Sequence, residues 1–263
     1  MARDVTYSSY LDLDRILSAQ HPASGAHDEM LFIIVHQASE LWLKLCLHEL
    51  FAARDLIRSD DLRPAFKMLA RVARTQSQLI DSWDVLSTMT PHDYSRVRPH
   101  LGNSSGFQSA QYRLMEFLLG GRNPAMVTMH EATPDIAARL RAELSRPSLY
   151  EEAVRLLAKR GFAIPDAVLS RDHTAQWVAS SEVEAAWAEI YRHPNAYWDL
   201  YELAEKLVDL EYHFQRWRFG HLKTVERIIG FKTGTGGTAG VPYLEGVLKK
   251  AFFPELLSVR TAI

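Results

Sequence analysis

The chain has 263 residues, 47% of them apolar and 24% charged, enough for one large buried core and barely enough for two. Its 30 basic and 32 acidic side chains leave a net charge of −2, which gives no reason to expect nucleic acid or an anionic membrane as partner. Cys46 is the single cysteine, which excludes an internal disulfide and any multi-cysteine zinc or iron–sulfur site.

The first residues, Met-Ala-Arg-Asp-Val-Thr-Tyr, carry charges and no apolar signal core, so a cytoplasmic protein is the expectation. The longest uninterrupted apolar run, Met30 to Val35, is far short of a membrane span. Asp28 to Ser59 then carries a helical apolar pattern without glycine or proline, and Asp61 to Met89 carries another, interrupted near its start by Pro64. Two long antiparallel helices are expected there. On the first of them Phe32, His36, Ser39 and Leu43 share one face, so Phe32 and His36 project together toward the core.

Thr90-Pro91-His92-Asp93 reads as an N-cap, a proline at the first helical position and an acid in the first turn, with Pro99 ending the short helix. Tyr94 and Arg98, four residues apart, point the same way, and a guanidinium beside a phenol is suited to clamping a carboxylate. The commoner fate of such a pair is a surface ion pair. Leu101 to Arg113 follows as a hydroxyl-rich turn, with Ser105 in it, opening another helix that carries Tyr112. Thr133-Pro134-Asp135 and the capping box Ser148 to Glu151 are further helix starts, Gly161 closes the second of these helices, and Ser181 to Glu184 begins another.

From Asn195 to Gly230 the helical period runs unbroken, which is roughly 50 Å of helix. Phe214, Trp217, His221, Val225 and Ile228 share its apolar face, and Gly220 stands beside the histidine, where something flat is expected to approach the backbone. Taken alone, His221 reads more economically as a core histidine hydrogen-bonded across a helix interface. The glycine-rich stretch Gly230 to Gly246 lacks the Gly-Lys-Ser/Thr ending of a phosphate loop and follows a helix rather than a strand, which argues against a nucleotide. It can instead fold over a small ligand or remain a solvated loop. No stretch alternates as a strand, and no shift in composition marks a boundary. The expected fold is all-α, a single helical-bundle domain over residues 1–263.

Metal alternatives fail on spacing: there is no His-Glu-x-x-His and no Glu-x-x-His, while His27-Asp28-Glu29 is a tripeptide that chance supplies. Haem held by one imidazole remains for an all-helical, cysteine-poor chain with isolated core histidines.

Several long blocks then carry a resemblance: Phe32 to Lys44 with His36, Tyr94 with Arg98, Gly102 to Arg113, His221 through Ile228 to Gly237, and Phe252-Phe-Pro-Glu-Leu. Together they resemble the bacterial tryptophan 2,3-dioxygenases over essentially the whole chain, departing from the family pattern only slightly, at Val35 and Asn103. The resemblance implies a helical bundle enclosing haem b, one per subunit and ferrous when active, in a homotetramer built as a dimer of dimers. It implies that L-tryptophan and O2 are the substrates and N-formyl-L-kynurenine the product, the first step of tryptophan degradation by the kynurenine route. His221 would be the proximal ligand and His36 the distal histidine bonded to the indole N–H. Phe32 would pack on the indole, Arg98 with Tyr94 would hold the carboxylate, and Thr235 would hold the ammonium. Ser105 would lie at the distal face, with Trp83 and Tyr112 near the haem. Tyr7, Tyr10 and Leu11, in an N-terminal segment of about residues 1–20, would cover the site of a neighbouring subunit. A haem-based sensor would need no carboxylate clamp, a cofactor-free helical scaffold would bind no haem, and an indoleamine 2,3-dioxygenase would accept broader substrates. His36 favours the narrower enzyme.

Overall fold

In the computed structural model, residues 5–237 and 239–263 are described; the first four residues of the N-terminal segment and Thr238 of the glycine-rich stretch lie outside them. The helices are α1 (Tyr7–Leu11), α2 (Leu13–Leu17), α3 (Glu29–Ser59), α4 (Leu62–Leu86), α5 (Pro91–Val97), α6 (Ala110–Leu119) and α7 (Ala125–Thr128). They continue with α8 (Pro134–Leu144), α9 (Leu149–Lys159), α10 (Asp166–Leu169), α11 (Ser181–Arg192), α12 (Trp198–Ile229), α13 (Val241–Leu248) and α14 (Pro254–Ala262). Short 3-10 turns occupy Arg98–His100 and Gly106–Gln108, and no strand forms among the described residues.

The α3–α4 hairpin is closed by a left-handed Asp60 at φ 67°, whose N–H reaches Ile57 O while Asp61 N–H reaches Leu56 O. Glycine would ordinarily fill that position. Here an aspartate holds it, and Arg160 grips its carboxylate at 2.6–3.1 Å, a contact that also holds its pKa below the usual range. Ser148 forms the expected capping box with Glu151, and the expected N-cap Thr90 goes further, forming a capping box with Asp93. Burial works against the charge on Glu151, but the Ser148 N–H and Arg122 outweigh it and lower its pKa to about 2. Gly161 adopts φ 92° just beyond α9, as a terminating glycine should.

Three boundaries differ from the sequence reading. The long C-terminal helix begins at Trp198 because residues 194–196 form a turn after His193. The second long helix ends at Leu86, with residues 87–89 in a turn. The cap of α11 is Ser180, whose hydroxyl accepts from Val183 N–H.

α12 lies along α4, and α3 packs on α4, α6 and α9. By length and apolarity α3 reaches the threshold of a membrane-crossing helix. It also buries Glu29, Glu49 and Arg54 and contributes Leu43, Cys46, Leu47 and Leu50 to the main core, as a central helix of a globular bundle does. A second, smaller apolar cluster of Val35, Leu86, Met89 and Ile228 joins the N-terminal half of α3 to the C-terminal ends of α4 and α12. Leu31, Phe32, Trp83 and Tyr94 pack against it.

Candidate active site

Both core histidines stand at this smaller cluster. His36 Nδ1 lies 2.7 Å from the carbonyl oxygen of Phe32. A carbonyl can only accept, so Nδ1 carries the proton and Nε2 presents a lone pair. Burial depresses the His36 pKa against the opposing pull of that carbonyl and of Glu40, so the ring is neutral at pH 7. The Phe32 ring is 4.2 Å from the imidazole, and the Tyr94 ring is 6.2 Å beyond Phe32. An acceptor nitrogen beside an aromatic face suits a flat ligand with one N–H donor.

His221 stacks on Trp83 at 4.8 Å and 10° and leans on Trp217 at 5.8 Å. Burial, with a smaller repulsion from His36, lowers its pKa to about 4. Each imidazole lies deep in the fold yet keeps part of its surface accessible. Among the described residues no group hydrogen-bonds the His221 ring, and the buried Trp83 Nε1 beside it is also without a partner. A neutral imidazole free to bind, walled by aromatic rings next to an unsatisfied donor, fits haem.

Gly220 serves a different neighbour from the one expected. A Cβ there would stand 2.7 Å from Cδ1 of Trp83, so the flat group that approaches the α12 backbone is the Trp83 indole.

Arg98 and the glycine-rich loop meet directly. Arg98 Nη2 donates to Thr233 O at 2.7 Å, and Thr235 Oγ1 donates to Ser104 O at 2.7 Å. Gly236 lies against Ser105, whose hydroxyl accepts from Phe107 N–H and so caps the 3-10 turn beneath the loop. Burial raises the Tyr94 pKa, with Arg98 opposing, which keeps the phenol protonated as a hydrogen-bond donor. Thr235 and Gly236 thus rest on the 104–107 turn.

The remaining candidates are placed less centrally. Tyr112 stacks on Phe214 and Trp217 at 5.7 and 5.1 Å, one ring removed from His221, and its hydroxyl donates to Glu116 Oε1 at 2.9 Å. Tyr7, Tyr10 and Leu11, which are 77%, 79% and 37% exposed, lie on α1 and do not enter this chain's own site. Glu29 of the His27-Asp28-Glu29 tripeptide is occupied by the backbone N–H groups of Ala23 and Ser24 at 2.8 and 2.6 Å. Sequence reasoning assigned no role to Trp217 at the site, and it missed the buried cluster of Arg113, Glu116 and Arg218 beside Tyr112. Only the charged residues on the apolar faces of α6 and α12 could have signalled that cluster.

The family model for tryptophan 2,3-dioxygenase matches residues 1–135 and 142–263. The chain belongs to the tryptophan 2,3-dioxygenase family. The unmatched residues 136–141 fall within α8. The tryptophan 2,3-dioxygenase of Erythrobacter litoralis (strain HTCC2594) is 82% identical over 263 residues, all of both chains. That of Cupriavidus necator is 56% identical over 260 residues, covering 99% of this chain and 88% of the relative. That of Burkholderia multivorans is 58% identical over 262 residues, covering 100% of this chain and 84% of the relative. Such coverage brings both imidazole helices and the glycine-rich loop within the family's alignment.

Proposed function

We propose that this member of the tryptophan 2,3-dioxygenase family cleaves the C2=C3 bond of the L-tryptophan indole, adding both atoms of O2 to give N-formyl-L-kynurenine. The observation that carries this reading is the His36 tautomer: with Nδ1 committed to Phe32 O, Nε2 is left as the acceptor an indole N–H requires. His221 is the residue that would hold haem b, and the haem, when bound, supplies the activation of O2.

The chain's own groups do the rest by holding the substrate. Phe32 packs on the indole, and His36 fixes the in-plane orientation through one hydrogen bond to the indole N–H. That bond serves by positioning, without requiring proton removal. Arg98 engages the carboxylate, helped by the Tyr94 hydroxyl, and Thr235 engages the ammonium while its loop excludes water from the reacting ring. Ser105 supports the loop on the distal side. Trp83 and, one ring further, Tyr112 line the approach to His221.

The chain acts as one domain over residues 1–263, with about residues 1–20 reaching into a neighbouring subunit of a homotetramer, a dimer of dimers, in the cytoplasm. The exposure of Tyr7, Tyr10 and Leu11 supports this arrangement, as does the anchoring of Gln20 to Gln37 at 2.6 Å, next to His36. These residues leave the site region as an arm with apolar side chains to bury.

The test is turnover: haem-reconstituted protein is reduced with dithionite without oxygen, then given L-tryptophan and air. Growth of the N-formylkynurenine absorption band is expected, and a haem-loaded protein that leaves tryptophan unchanged would refute the reading.

A further inference from the structure

His221 departs from a habit that three other helical histidines of this chain share. His36 and His213, both within long helices, place Nδ1 2.7 and 2.8 Å from the carbonyl oxygens of Phe32 and Asp209, four residues earlier. His193, at the end of α11, lies 3.2 Å from the carbonyl oxygen of Glu189 in the same relation. A carbonyl only accepts, so Nδ1 carries the proton in each ring. His221 has the same opportunity, with Trp217 four residues earlier on α12, and makes no such bond.

Two rings account for the difference. Trp83 lies flat on the imidazole at 4.8 Å and 10°, and Trp217 leans on it at 5.8 Å and 36°. Trp83 in turn rests on Trp217, 5.4 Å between centres, and Trp217 is backed by Tyr112 at 5.1 Å and Phe214 at 6.1 Å. Residue 220 forgoes a side chain to admit this stack, since a Cβ there would stand 2.7 Å from Trp83 Cδ1. Ring stacking is comparable in strength to one neutral hydrogen bond, so it can hold the imidazole off the carbonyl of its own helix.

We propose that Trp83 and Trp217 are positioning residues for the haem ligand: they turn the His221 imidazole away from the Trp217 carbonyl and leave Nδ1 without a protein acceptor. This rests on the reading of His221 as the residue that holds haem. A ligating histidine commonly donates its second N–H to a carbonyl or carboxylate, which makes the ligating nitrogen more basic. Withholding that acceptor keeps the imidazole a weaker donor to iron and favours the ferrous state that reaction with O2 requires.

The test compares haem-loaded parent, Trp83→Leu, Trp83→Phe, Trp217→Leu and His221→Ala. Readouts are the iron–histidine stretching band in resonance Raman spectra of the ferrous proteins and the haem midpoint potential. In Trp83→Leu the imidazole is free to reach the Trp217 carbonyl, so the band should move to higher frequency and the potential should fall. Trp217→Leu should shift both in the same direction by less, and Trp83→Phe, which keeps a ring, should stay close to the parent. Parental frequency and potential in Trp83→Leu would overturn the proposal, and Trp217→Leu decides in the same way if Trp83→Leu holds no haem. An iron–histidine band that persists in His221→Ala would overturn the ligand reading instead. Crystal structures of haem-free parent and Trp83→Leu then decide alone. His221 Nδ1 should lie within about 3 Å of Trp217 O only in the variant, and an imidazole unmoved by the substitution would overturn the proposal.

Discussion

Trp83 lies flat against His221, 4.8 Å between ring centres and 10° between planes, and it reaches that position because residue 220 is glycine. Two opposing effects meet at Gly220→Ala. Alanine in a helix interior gains roughly 1 kcal/mol over glycine, while forcing a methyl group to 2.7 Å from the Trp83 ring costs about 1–3 kcal/mol and tilts the stack. The clash is with a packed ring rather than a flexible chain end, so the variant should unfold at lower denaturant and retain haem less well. A denaturation midpoint at or above the parent's, with haem retained, would show that the stack tolerates the methyl.

His221→Ala should remove haem binding. On the described face of α12 the neighbours Phe214, Trp217 and Ile228 offer no alternative ligand, and a single imidazole is the expected anchor. After reconstitution and desalting, the Soret absorbance should fall to roughly a tenth of the parent's or less. Full haem retention with a parental spectrum would move the ligand elsewhere.

Arg98→Ala should leave haem content intact and lower kcat/KM for L-tryptophan by about tenfold to a hundredfold, the worth of a charge-assisted bond. It also frees Thr233 O, so the loop should exchange its amides faster. Tryptamine, which lacks the carboxylate, should be a poor substrate of the parent enzyme and should lose little more in the variant. Equal turnover of L-tryptophan by parent and variant would remove Arg98 from substrate recognition.

Acid should affect activity and stability through the two imidazoles. His36 accepts a hydrogen bond only when neutral, and its pKa is lowered from 6.5, so kcat/KM should hold through pH 6.5 and fall only below it. In the haem-free protein, His221 has a folded pKa of about 4 against 6.5 unfolded, so below pH 6.5 the unfolded state binds the extra proton. Stability from this group is therefore present above pH 6.5 and is lost as pH falls toward about 4. Denaturation of apo His221→Leu should show a shallower loss across that window than the parent. Parallel curves would assign the acid sensitivity to other groups.

His36→Ala should reduce but not abolish turnover of L-tryptophan, because Phe32, Arg98 and Thr235 still hold the substrate. 1-Methyl-L-tryptophan has no N–H to donate and puts a methyl group where the imidazole sits. Its turnover relative to L-tryptophan should rise in the variant, where that volume is vacated. An unchanged ratio would place His36 away from the indole nitrogen.

Local chemistry was the legible part of this fold. The N-cap at Thr90, the capping box at Ser148 and the shared faces of Phe32 with His36 and of Trp217 with His221 depend on residues within a few turns of each other, and sequence spacing states them. The identity of the group beside Gly220 was not legible, because Trp83 comes from another helix and nothing in the α12 sequence names it. Glu116, four residues beyond Tyr112 on α6, was within reach of spacing, but Arg218, which shares that carboxylate, belongs to α12 and was hidden for the same reason. The start of α12 was overextended because the apolar period continues through the turn at residues 194–196. Roles at the site came from the long motif blocks, since period alone favoured a core histidine at His221.

The most direct test of the central claim is the fate of molecular oxygen. Haem-loaded enzyme, reduced and supplied with L-tryptophan under 18O2, should form N-formyl-L-kynurenine carrying heavy oxygen at both the formyl and the ketone positions, read by mass spectrometry on rapidly quenched samples before exchange with water. Product with a single labelled oxygen, or hydroxylated tryptophan with an intact indole ring, would contradict it.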